Sequence, residues 1–132
     1  MLQQKADLPM IREDFTNYIF MEIEKGFYYV LALLIAFMCY EDETFNVNGV
    51  SAKQLLKYAK DLEPKAKISK LKVQHIETLL TELAALYILK KETEDTDGWH
   101  FVFARSAYRE MLGSAEAVTE KLLVELTEGE EV

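Results

Sequence analysis

Residues 69–87 read SKLKVQHIETLLTELAALY, and this stretch decides the fold. Val73, Ile76, Leu79, Leu80, Leu83 and Leu86 recur at spacings of three and four, which puts them on one face of an α-helix. Lys70, Gln74, Glu77, Thr78 and Thr81 fall on the opposite side. Ser69 has the side chain of an N-cap, so the pattern predicts a helix opening at that residue.

Upstream, Ser51 followed three residues later by Gln54 has the form of a capping box. It predicts a helix over Ala52–Leu62 that buries Leu55, Leu56 and Ala59 and is stopped by Pro64. In residues 44–50, Phe45 and Val47 alternate with polar neighbours and Asn48-Gly49 signals a turn, so this piece is expected to be extended. Residues 27–40 are apolar nearly all round, as a central core helix should be. Before them, Phe15, Ile19, Phe20 and Ile23 recur at helical spacing behind an aperiodic arm holding Pro9.

Downstream, residues 87–93 turn into a strand, Glu94 to Gly98 form a polar loop, and Trp99 to Phe103 alternate as the return strand. Trp99, Phe101 and Phe103 share one face of it, expected to point inward, with His100 and Val102 on the other. Residues 108–112 make a helical turn closed by Gly113, and Ser114 caps a last helix bearing Val118, Leu122 and Leu126.

The expected fold is mainly α with a small β-hairpin, in the order of a winged helix-turn-helix with an N-terminal helical extension. The stretch from Ile76 to Leu89 resembles the recognition helix of that family running into its wing. Phe101-Val102-Phe103-Ala104-Arg105-Ser106-Ala107-Tyr108-Arg109-Glu110-Met111-Leu112-Gly113-Ser114 resembles the winged-helix segment attached to a group of prokaryotic P-loop ATPases. The resemblance implies a binding module, since winged helices bind DNA, RNA or protein. It divides the chain into residues 1–26, an arm and helix suited to homodimerisation, residues 27–126, the winged-helix domain, and residues 127–132, an acidic tail.

Composition bounds the function. The 132 residues are 50% hydrophobic and 29% charged, enough to pack one core. The longest apolar run, residues 27–40, is short of the roughly 20 residues that cross a bilayer, so no membrane association is expected. The single cysteine, Cys39, forms no internal disulfide, and a reduced, cytoplasmic location is the expectation. Two histidines and one thiol match no zinc spacing, and no Gly is followed by Lys as a phosphate loop requires. Neither a metal, a cofactor nor catalysis is expected.

The net charge is −8, unfavourable for a nucleic-acid binder, yet it is polarised. Lysines 53, 57, 60, 65, 67, 70 and 72 face only Asp61 and Glu63, a local charge of +5. Lys70, Lys72, Gln74, His75 and Thr78 would then face the major groove of duplex DNA. Lys53, Lys57, Lys65 and Lys67 would contact phosphates. Glu92, Glu94, Asp95 and Asp97 at the hairpin tip would repel them. The alternative is therefore a protein-docking or dimerisation module of a chromosome- or ATPase-associated complex, with the acids meeting a protein partner.

Overall fold

The computed structural model describes residues 27–128. The N-terminal arm and the stretch carrying Phe15, Ile19, Phe20 and Ile23, on which homodimerisation was expected, lie outside the described residues. So do residues 129–132 of the acidic tail. What is described is mostly helical, with six α-helices and one small antiparallel sheet.

Helix α1, Tyr28–Glu41, is the apolar helix expected, and it buries ten of its fourteen residues. Apolar positions all round its circumference are usable because it packs on the five other helices, chiefly the last one. The remaining helices are α2, Thr44–Asn48, α3, Ala52–Leu62, α4, Val73–Ala85, α5, Ser106–Leu112, and α6, Ala115–Glu128. Among the described residues no helix is long and apolar enough to cross a membrane.

Residues 44–48, expected to be extended, form the short helix α2 instead, and only Val50–Ser51 is strand. A turn at Asp42 and a tertiary contact of Phe45 together account for it. Asp42 Oδ1 accepts from the backbone N–H of Thr44 at 3.0 Å and from its hydroxyl at 2.8 Å, bending the chain into a turn. Those two donors also hold the Asp42 carboxyl below its ordinary pKa. Phe45 then packs edge-to-face on Tyr58, ring centroids 5.9 Å apart, while Val47 points to solvent.

The capping box forms as expected. Ser51 Oγ accepts from Gln54 N at 3.1 Å, and Gln54 Oε1 accepts from Ser51 N at 2.9 Å. Leu55, Leu56 and Ala59 are buried below it. Helix α4 buries Ile76, Leu79, Leu80 and Leu83, but it opens at Val73 rather than at Ser69. Ser69 lies in a 3-10 turn, Ile68–Lys70, and its hydroxyl donates to Glu63 O at 2.7 Å. That bond ties Ser69 back to the end of α3, inside the 3-10 turn and ahead of the helix. Lys72 takes the N-cap position, and no side chain caps α4.

The sheet has the order β1-β3-β2, with β1 Val50–Ser51, β2 Leu89–Asp95 and β3 Gly98–Phe103. Val50 pairs with Phe101 and Ser51 with His100, so the short strand before α3 holds the hairpin's return strand against the helices. A bulge between Lys91 and Thr93 twists β2. Phe101 is fully buried, and Trp99 and Phe103 pack on the core more loosely. His100, expected on the outer face, is buried as well, its Nδ1 3.5 Å from Gly49 O. The loop leaving α2 roofs that side of the strand. At the other end Ser114 Oγ accepts from Ala117 N at 3.2 Å, and Val118, Leu122 and Leu126 are buried along α6.

Candidate nucleic-acid interface

All nine residues expected to meet DNA are exposed: Lys53, Lys57, Lys65, Lys67, Lys70, Lys72, Gln74, His75 and Thr78. Lys53, Lys57 and Lys60 recur on one side of α3, because its amphipathic pattern turns Leu55, Leu56 and Ala59 inward. Lys65 and Lys67 lie in the turn that follows Pro64, and Lys70 ends the 3-10 turn. Lys72 stands at the start of α4, followed along its outer side by Gln74, His75 and Thr78.

The two acids inside the lysine segment leave it a local charge of +5. Glu63 Oε2 is taken by the backbone N–H of Lys65 at 3.1 Å, and Asp61 sits exposed at the end of α3. The start of α4 adds to the positive field, since its first N–H groups lack intrahelical partners and its first turn carries no acid.

Three of the nine are engaged in local contacts. Lys53 Nζ lies 3.5 Å from Asp97 Oδ1 at the hairpin tip. The His75 ring stands edge-to-face to Phe27, centroids 6.4 Å apart, and the Thr78 hydroxyl donates to Gln74 O at 3.0 Å within the helix. An exposed pair such as Lys53–Asp97 is cheap to separate.

The hairpin acids are less free than their run in the sequence implies. Glu92 Oε1 is 3.6 Å from Lys90 Nζ, and Asp95 Oδ2 is 3.0 Å from His100 Nε2. The backbone N–H of Asp97 donates to Asp95 Oδ1 at 2.8 Å; this bond first, and His100 second, lower the Asp95 pKa.

Glu77, read from the sequence as an outward residue, reaches the hairpin. Its Oε2 accepts from Trp99 N at 3.4 Å, and a Cβ added at Gly98 would come within 3.1 Å of the same oxygen. Glu82 accepts from the Tyr28 hydroxyl. Helical spacing marks both acids as polar-side residues, but no local signal reveals their long-range partners. Trp99 is half-buried, with Lys91 Nζ 4.9 Å from its ring centroid over one face.

Behind the hairpin, residues of α2, β2, β3 and α5 line a cleft of about 500 Å³. Arg109 on α5 forms part of its wall, a residue that the spacing argument passed over. Cys39 also borders it, and burial pushes that thiol up to about 11, far from a reactive thiolate. Among the described residues no cluster of three or more His, Cys, Asp or Glu side chains is placed to hold a metal ion.

Comparison of the chain with protein-family models, with curated proteins and with solved structures finds no match.

Proposed function

We propose that this domain is a winged helix-turn-helix that binds duplex DNA through the lysine surface of α3, the following turn and the start of α4. The order helix, strand, helix, turn, helix, hairpin supports the fold reading, as does the sheet order β1-β3-β2. On that reading α4 is the recognition helix, whose N-terminal residues approach base edges in the major groove.

The observation that carries the proposal is the exposure of all seven lysines from 53 to 72, in a chain whose other segments are acidic. Lys57, Lys65, Lys67 and Lys70 neutralise phosphates and release counterions. Lys72 and the uncapped start of α4 attract a further phosphate oxygen. Gln74, His75 and Thr78 face the bases, where a glutamine side chain suits adenine. Lys53 joins the phosphate contacts once Asp97 releases it. The resemblance to segments attached to P-loop ATPases fits a module that works inside a larger assembly.

A second reading, docking to a protein, is favoured by Glu77 and Glu82 on α4, since carboxylates there would meet the DNA backbone. Titration of a short labelled duplex with the protein over a range of salt concentrations separates the two. DNA binding predicts a steep fall in affinity with salt, its slope reduced by about one for each phosphate-contacting lysine removed. Lys67→Glu, Lys70→Glu and Lys72→Glu together should abolish the complex. A flat null result at low salt with several unrelated duplexes would leave protein docking as the function.

A further inference from the structure

We propose that the cleft behind the hairpin is a binding site for a small carboxylate with a hydrophobic body, held by Arg109. The cleft has a volume of about 500 Å³, enough for a molecule the size of an aromatic acid. Apolar wall is supplied by Val47, Val102 and Phe103, and Ser106 also lines the cleft.

Arg109 is held in place and under-used. Its guanidinium carbon stands 5.0 Å over the Tyr40 ring, and Nη1 donates to Asn46 Oδ1 at 2.7 Å. Asn46 is itself fixed, its Nδ2 donating to Cys39 O and to Glu43 Oε1, both at 3.2 Å. The guanidinium therefore has a set orientation before any ligand arrives. Its Nε is buried without a hydrogen-bond acceptor, and no carboxylate of the described residues forms an ion pair with it.

The other cation around the cleft is paired with an acid, and Glu43 keeps its negative charge. Lys90 pairs with Glu92 at 3.6 Å, and Glu43 accepts from Asn46. Arg109 is left as the lining cation without an anionic partner among the described residues, and a carboxylate suits a guanidinium. The apolar part of the lining, Phe45, Val47, Val102 and Phe103, then favours an acid with an apolar body over inorganic anions.

Benzoate is the probe, followed by amide chemical shifts of the whole chain. Benzamide serves as the neutral control and inorganic phosphate as the compact anion. Saturable millimolar shifts at Asn46, Val102 and Ser106 are expected with benzoate, with little response to benzamide or phosphate. Arg109→Gln should remove the benzoate response, and Arg109→Lys should weaken it about tenfold, because an ammonium lacks the planar fork. Val47 is 70% exposed, so Val47→Glu should fold normally and oppose benzoate through a like charge at the cleft. Absence of saturable shifts, equal shifts with benzamide, or binding undiminished in Arg109→Gln and Val47→Glu would overturn the site.

Discussion

Asp97 Oδ1 at the hairpin tip lies 3.5 Å from Lys53 Nζ on the first turn of α3. The tip is thus folded down beside the helix pair, and the bond from Trp99 N to Glu77 fixes it from the other side. An acidic hairpin in this position acts on the lysine surface in two ways. It lowers the local potential, and it occupies one lysine directly.

Asp97→Asn should free Lys53 and strengthen binding to duplex DNA several-fold at low salt, the gain fading as salt screens it. Stability should change by less than about 1 kcal/mol, because the pair is solvent-exposed. Anisotropy titrations and urea unfolding measure the two effects separately. Unchanged affinity would mean that Lys53 makes no phosphate contact.

Two backbone positions respond in opposite ways to glycine chemistry. Gly49 has φ +82°, and an added Cβ would stand 2.9 Å from Phe101 O. Gly49→Ala should therefore cost on the order of 1–3 kcal/mol and loosen the β1–β3 pairing. Tyr87 has φ +65° and is 78% exposed. It ends α4 in a Schellman motif, with Tyr87 N donating to Ala84 O and Ile88 N to Leu83 O, each at 3.0 Å. Tyr87→Gly relieves the left-handed strain and should raise stability by up to about 1 kcal/mol. Thermal midpoints should move down for the first substitution and up for the second.

Leu80→Ala should cost about 2–5 kcal/mol, the range for emptying a fully buried leucine site. Denaturant unfolding at constant slope measures it. A loss below about 1 kcal/mol would mean that the core collapses around the vacancy.

The hairpin tip should weaken in acid. Asp95 has its pKa lowered in the folded chain, by the Asp97 N–H first and His100 second. Its stabilising contribution is present in full above the unfolded value of about 3.9 and is lost as pH falls through the lower folded value. Amide shifts of Asp97 and Gly98 followed from neutral pH down to about pH 2 should report one transition below about 3.9. Asp95→Asn should remove it. A transition unchanged in that variant would assign the acid response to another carboxylate.

Much of this architecture is written locally. The Ser51–Gln54 box, the leucine stripe of α4, the hairpin bounded by Asp97-Gly98 and the cap at Ser114 each depend on residues within a few positions of one another. Spacing and side-chain type suffice for such features, because a cap or an amphipathic face forms wherever its own few residues adopt the helix. The lysine surface is equally legible: long charged side chains interleaved with buried leucines have only solvent to enter.

Tertiary packing decided the rest. Ser69 suits an N-cap, but it is held in a 3-10 turn against Glu63 O, and α4 begins four residues later at Val73. Phe45 and Val47 alternate like a strand, yet Phe45 finds Tyr58 and the segment coils into α2. Glu77 meets Trp99 across 22 residues, His100 meets Gly49 across 51, and Arg109 meets Asn46 across 63. No local periodicity encodes a partner at that separation. Such contacts exist only after helices and sheet have packed, and they set which charges face solvent and which line a cleft.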